Sequence, residues 1–324
     1  MFKFLALDRF TVLLLLMVVL ASILPVSGDA AHIFGILTTT AIAILFFLHG
    51  AKLSREAVMQ GIMHWKLHSV VFAFTFAVFP ILGLISKPIL LPLLGQQLYW
   101  GLLFMCFLPS TVQSSIAFTS VAKGNVAGAV CSASFSNIIG MFITPVLVSL
   151  FILGQSDHDF DPTKSIIQIV LLLLVPFILG QILRPWVFPR MQKQPKIVKF
   201  FDQGSILMVV YGAFSSAVVA GLWQQLSGWH LFSLIMACSV LLTIVMLLAW
   251  YVPKWLGFSQ ADQKTIFFCG SKKTLASGVP MAQILFIGQP LGMIVLPIMI
   301  FHQIQLMVCG IIANHWAKQS DPQE

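Results

Sequence analysis

Apolar runs recur along nearly the whole chain, divided by short polar connections, and they lack the polar face that a helix of a soluble α/β domain would carry. Hydrocarbon about 30 Å thick needs about 20 apolar residues per helix. On that measure the pattern predicts ten spans, at 9–26, 31–50, 67–88, 97–120, 126–153, 164–184, 200–223, 229–252, 262–286 and 290–316. The fold class expected is therefore an all-α polytopic membrane protein. The first run has the outline of a signal peptide, with Lys3 and Arg9 ahead of an apolar stretch that ends near Ser27-Gly28-Asp29-Ala30. It is read as a retained helix, because the internal repeat described below needs it.

Composition agrees with this class. Of the 324 residues 59% are hydrophobic and 9% charged, and the mean hydropathy is +0.97. A net charge of +8 would suggest nucleic acid as the partner of a soluble protein, but here the basic residues gather in the connections, so no nucleic-acid partner is expected. With the N-terminus in the cytoplasm, 14 of the 18 Lys and Arg residues fall inside and only Lys87 and Lys164 outside. Both termini are then cytoplasmic by the positive-inside rule. A plasma membrane, in a bacterium the inner one, is the expected location. The acidic stretch Asp157-His158-Asp159-Phe160-Asp161 falls outside, where it is a solvated turn or a weak cation site.

The two basic residues left over are Lys272 and Lys273, in the run Phe267-Phe268-Cys269-Gly270-Ser271-Lys272-Lys273-Thr274-Leu275-Ala276-Ser277-Gly278-Val279-Pro280. A cation at mid-membrane costs at least about 2.5 to 3.5 kcal/mol, which makes an intramembrane lysine a functional-site candidate. The alternative is a lysine at a helix end, snorkelling to the interface. Cys106, Cys131, Cys238, Cys269 and Cys309 all lie in apolar spans at no metal-ligand spacing, and read as small buried hydrophobes. The histidines make no metalloenzyme pattern, and His49, His64 and His68 are expected near headgroups. No aspartate pair, HExxH or Ser/His arrangement supports an intramembrane enzyme. The Gly-Ser-Lys-Lys-Thr run fails as a phosphate loop, since Phe267 stands where its first glycine would be.

The chain also repeats itself weakly. Val12-Leu13-Leu14-Leu15-Leu16 matches Val170-Leu171-Leu172-Leu173-Leu174 at an offset of 158, Cys106, Thr111 and Ser114 match Cys269, Thr274 and Ser277 at 163, and Gly140 to Pro145 match Gly292 to Pro297 at 152. Two halves follow, residues 1–160 and 161–324, each with five spans. An odd number of spans inverts the second half relative to the first, an arrangement of secondary transporters. The repeat pairs the fourth span with the ninth. One holds Pro109, Ser110, Thr111, Gln113, Ser114, Ser115 and Thr119, and the other Ser271, Lys272, Lys273, Thr274, Ser277, Gly278 and Pro280. Proline and glycine make both spans candidates for local unwinding, which at membrane depth needs protein or a polar cavity to satisfy the backbone. Ser132, Ser134, Ser136 and Asn137 of the fifth span can face the same cavity. Hydroxyls that bond back to their own helix are the ordinary alternative for any one of these residues.

At Leu45-Phe46-Phe47-Leu48-His49-Gly50-Ala51-Lys52-Leu53-Ser54, at Ser114 to Ser120 with Ala122-Lys123-Gly124-Asn125-Val126-Ala127, and most specifically at Gly270 to Pro280, the chain resembles the bile acid:sodium symporter superfamily in its SBF-like branch. The resemblance implies a panel of helices 1, 2, 6 and 7 and a core of helices 3–5 and 8–10, with helices 4 and 9 broken and crossed. The implied activity is sodium-driven uptake of a small organic anion by alternating access, with no cofactor. One departure bears on coupling. In well-studied bile acid symporters, hydroxyl and amide residues of helices 4 and 5 hold sodium with a glutamate and a glutamine of helix 9, and alignment on Gly270 puts Phe268 and Lys272 at those two positions. The expectation is that an ammonium of Lys272 or Lys273 fills the space of the missing sodium and ties the broken helices through Thr111, Ser114 and Ser115, with a proton as the coupling ion or with none. A direct contact of a lysine with the anion is the other use of the same charge. A non-transporting regulator or lipid-binding protein on this fold is the alternative function.

Overall fold

A computed structural model describes residues 9–52, 64–155 and 170–319. These residues are helical almost throughout, and no strand occurs among them. In chain order the helices are α1 (Arg9–Ile23), α2 (Gly28–Lys52), α3 (Trp65–Ile85), α4 (Lys87–Leu94), α5 (Gln96–Phe107), α6 (Val112–Val121), α7 (Val126–Phe151), α8 (Leu171–Lys193), α9 (Pro195–Val219), α10 (Gly228–Trp255), α11 (Gln260–Gly270), α12 (Leu275–Leu285) and α13 (Leu291–Gln319).

Among the described residues α2, α3, α7, α8, α9, α10 and α13 are seven helices long and apolar enough to cross a membrane, and α5 with α6, bent by 61° at their break, make an eighth. The chain is a multi-pass helical membrane protein. Two of the expected spans fall short of that length and hydropathy for separate reasons. The first is α1, whose apolar part is confined to Val12–Ile23. The ninth is divided into α11 and α12, of 11 residues each, and α11 opens on Gln260, Asp262, Gln263 and Lys264. The acidic stretch at 157–161 lies outside the described residues.

Lipid is the solvent for the outer surface, so apolar side chains remain on it: Leu16 and Val19 on α1, Ile36 and Leu37 on α2, Ile182 on α8, and Val240 and Leu247 on α10 are all exposed. Many hydroxyls within spans take the ordinary alternative, as Thr38, Ser205, Ser239 and Thr243 each donate to the carbonyl four residues back. The helices pack in two groups. One contains α1, α2, α8 and α9; the other contains α3, α4, α5, α6, α7, α10, α11, α12 and α13, and α9 leans on α12 and α13 of the second group.

Within the first group α2 and α8 approach as closely as two backbones can. Gly50 lies against the backbone of Phe177, and Gly180 lies against the carbonyl of Phe47, so a Cβ on either glycine meets main-chain atoms. Lipid tails are as apolar as leucine, and helix association in a bilayer rests on such close packing. One of the three histidines departs from its expected headgroup role. His68 is buried, with Nδ1 2.6 Å from Ser132 Oγ, because α3 begins at Trp65 and carries residue 68 a turn inside. His49 has Nε2 3.7 Å from Asp202 Oδ1.

The glycine contact predicts a large effect from a small change. Gly180→Val places its Cβ against main chain that cannot give way, and overpacking of that kind costs about 1–3 kcal/mol or more. A fall of several degrees in the melting temperature of detergent-solubilised protein is expected. Gly204→Ala, whose Cβ meets nothing within 4 Å, is the control and should leave the melt unchanged.

Candidate functional site at the crossing of two interrupted helices

Both breaks are four residues long, Leu108 to Thr111 between α5 and α6 and Ser271 to Thr274 between α11 and α12, and they lie 163 residues apart. The last residue before each helix resumes is extended in the same way, Thr111 at φ −75°, ψ 128° and Thr274 at φ −86°, ψ 127°. The causes differ. In the first break Pro109 offers no N–H and pushes Leu108 out of the helical region, to φ −71°, ψ 153°. In the second, Pro280 lies within α12 and is not the breaker that the sequence suggested. The side-chain amide of Gln305 on α13 takes that part: Lys273 N donates to Gln305 Oε1 at 3.0 Å, and Gln305 Nε2 donates to Lys273 O at 2.9 Å. The carboxamide thus stands in for a neighbouring peptide group and holds Lys273 outside the helix.

The two breaks meet, and each supplies what the other lacks. Thr274 N donates to Pro109 O at 3.0 Å, while the Thr111 hydroxyl donates to Lys273 O at 2.8 Å. The Ser110 hydroxyl donates to Cys269 O at 2.6 Å, and that of Ser115 to Phe268 O at 3.3 Å. From α7, Asn137 Nδ2 donates to Ser110 O at 2.7 Å, Ser136 accepts from Ser110 N at 3.1 Å, and Thr144 donates to Phe107 O at 2.7 Å. Ser277 closes the ring with a 3.2 Å bond to Asn137 Oδ1. Buried backbone groups in lipid have no water to turn to, so this accounting is what permits two unwound segments at membrane depth.

Lys273 completes it. Its Nζ is buried and donates to Thr75 O at 2.7 Å, Cys106 O at 2.8 Å and Leu108 O at 2.7 Å, filling all three donor positions of an ammonium. Each acceptor is free for a stated reason. Cys106 and Leu108 lie at the C-terminal end of α5, where carbonyls lose their helical partners and the helix dipole favours a cation. Thr75 belongs to a π turn in α3, Phe74–Val78, in which Phe79 N bonds Phe74 O. The π-type partner of Thr75 O would be residue 80, a proline, which has no N–H to give. The ring of Phe79 covers the ammonium at 4.3 Å.

Lys272 is placed otherwise. It is equally buried, but among the described residues no hydrogen-bond partner reaches its Nζ, which lies 3.8 Å from the ring centre of Phe118 and 5.7 Å from that of Phe268. The expected tie therefore belongs to Lys273 alone, and it runs through carbonyls and not hydroxyls. The hydroxyls of Thr111 and Ser115 serve the opposite backbone, and that of Ser114 has no partner among the described residues.

The remaining candidates divide. Ser271 bonds back to Phe267 O at 2.6 Å, and Gly278 gives room for the Leu108 side chain. Thr119 is buried beside Gly124 with its hydroxyl unpartnered. Ser132 pairs with His68, away from the crossing, and Ser134 is half-buried on α7. Gln113 is exposed and lines a cleft of about 410 Å³ with Lys52, Phe188, Met191, Gln192, Lys199 and Asp202, between α6 and the group of α2, α8 and α9. Lys52 pairs with Asp202 in its wall. Sequence reasoning passed over Gln305, although a wholly buried amide in an apolar span is itself a signal. It also passed over the clamp of the α6–α7 turn on α11, where Asn125 Nδ2 donates to Asp262 Oδ1 at 2.8 Å and Lys264 Nζ to Ala122 O at 2.7 Å.

The contrast between the lysines sets a stability test. Lys273→Met leaves three buried carbonyls without a donor, at about 1–3 kcal/mol each, so a loss of more than about 3 kcal/mol is expected in denaturant or thermal unfolding in detergent. Lys272→Met removes an amine that has no acceptor to lose, and should leave stability unchanged or raised.

A model of the SBF-like CPA transporter family matches residues 8–318. An uncharacterised protein of Pseudomonas aeruginosa is 51% identical over 314 residues, covering 97% of this chain and 94% of that one. YfeH of Escherichia coli is 49% identical over 321 residues, with the same coverage of each chain. Sodium/bile acid cotransporter 7 of Danio rerio is 28% identical over 315 residues, 94% of this chain and 92% of its own. With a match that runs through both interrupted helices and almost from end to end, the chain belongs to the SBF-like CPA transporter family, a family of membrane transporters and not of enzymes.

Proposed function

We propose that this protein is a secondary transporter of a small organic anion, working by alternating access, in which the ammonium of Lys273 does internally what a bound sodium ion does in the symporters that the sequence resembles. One observation carries the reading. A cation is already held by three carbonyls of two helices at the crossing, and no carboxylate is among its bonded partners. Transport is then independent of sodium.

The equal length of the two breaks and the matching conformations of Thr111 and Thr274 support two inverted repeats of five helices, residues 1–160 and 161–324. The packing of α1, α2, α8 and α9 as one group supports a panel, against which a core containing the crossing moves. The cleft between the groups offers an anion the ammonium of Lys199, amides of Gln113, Gln192 and Gln203, and the apolar faces of Phe188 and Met191. Such a mixture suits an amphipathic anion, and the cotransporter name borne by the Danio rerio relative points the same way. The 14 to 2 partition of basic residues supports cytoplasmic termini in a plasma membrane. Membership in a family of transporters gives no support to a non-transporting lipid-binding role.

Comparison of metabolites in cells with and without the protein identifies the solute, and uptake into proteoliposomes then tests coupling. Uptake is expected to persist when sodium is replaced by choline on both sides and to disappear in Lys273→Met; an absolute need for an inward sodium gradient overturns the reading. Lys199→Gln should raise the half-saturating solute concentration by about three- to tenfold, the loss of about 1 kcal/mol from a partly solvated charge contact, with the maximal rate little changed.

A further inference from the structure

The adjacent lysines share burial and differ in everything else. The Lys273 ammonium has an acceptor for each of its three N–H groups, so its proton is held in place by bonds that also hold the fold together. Lys272 has an aromatic wall, Phe118 from α6 and Phe268 from α11, and no acceptor among the described residues. The neighbouring titratable groups that face it are thiols, Cys269 on α11 and Cys309 on α13. The adjacent hydroxyl of Ser271 is engaged with Phe267 O. The two ring faces favour the ammonium weakly, but among the described residues no hydrogen bond holds a proton on Lys272. One turn before Phe118 on α6 stands Ser114, whose hydroxyl is likewise unpartnered, and next to it in sequence is Gln113 of the cleft. A hydroxyl both accepts and donates, so it can relay a proton.

We propose that Lys272 is the proton-exchanging residue of the transport cycle, and that Lys273 keeps its charge throughout as the structural cation. This deepens the transporter reading above and rests on it. The step balances simply. When the core opens to one side, the amine lone pair takes a proton from hydronium and leaves water; when it opens to the other, the ammonium returns that proton to water, and no electrons change hands. One proton crosses per cycle, coupled to the organic anion. The two lysines then answer two different needs, one for a fixed charge that replaces a bound ion and one for a charge that comes and goes.

The decisive measurement needs no solute. Full-length protein carrying [15Nζ]lysine is reconstituted in lipid bilayers and observed by solid-state NMR between about pH 6 and pH 10, a window below the ordinary lysine value of about 10.4 in which a solvated lysine stays mostly protonated. The resonance absent from Lys272→Met, or from Lys272→Arg should the first variant fail to fold, is expected to change between ammonium and amine positions across that window. The resonance of Lys273 should stay at the ammonium position. A Lys272 signal that keeps one position throughout overturns the proposal, as does a Lys273 signal that changes with it. A second arm uses the solute identified by metabolite comparison, in proteoliposomes with an imposed pH gradient. Lys272→Arg, whose guanidinium does not release its proton, should lose gradient-driven uptake at least tenfold while exchange of labelled for unlabelled solute continues. Undiminished gradient-driven uptake in that variant also overturns the proposal. A sodium requirement would instead defeat the function proposed above, and the NMR result would stand or fall separately.

Discussion

Backbone polar groups at the depth of the hydrocarbon have no water to bond, and every feature of the crossing follows from that constraint. Two helices are interrupted near their middles, and each interruption exposes carbonyls and N–H groups that would cost several kcal/mol apiece if left alone. The structure answers with reciprocal bonds between the breaks, with side chains of α7 and α13, and with one ammonium that serves three carbonyls together. Lys273 is placed where the C-terminal end of α5 and the π turn of α3 leave oxygen without hydrogen. The charge that composition marks as an expense is in this position the donor for three buried carbonyls.

This arrangement gives the second group of helices a rigid centre while leaving its edges free. The unwound backbone at the crossing is hydrogen-bonded, and the turn between α6 and α7 is clamped to α11 by Asn125, Asp262 and Lys264. Against it the first group presents close glycine packing within itself, between α2 and α8, and a cleft toward α6. Two packed groups with an amphipathic cleft between them suit the alternating access proposed above, in which one body moves as a unit against the other. Lys52 and Asp202 pair in the cleft wall and leave Lys199 as a basic group available to an anion.

The sequence by itself determined the membrane class, the approximate position of the spans and the first of the two segments where helices give way, because apolar length and the absence of a proline N–H act locally and need no partner. It also made Lys272 and Lys273 conspicuous. It did not distinguish them: side by side between two helices, their side chains reach different surroundings, and only the neighbours decide which meets carbonyls and which meets rings. For the same reason Pro280 looked like a breaker and is not one, while Gln305, 32 residues from Lys273, sets the second break from a different helix. Ser132 was grouped with the crossing and pairs with His68, and Gln113 turned to the cleft. Which carbonyls are orphaned, and which donor reaches them, is a property of helices brought together from distant parts of the chain, and that was decided by the tertiary structure alone.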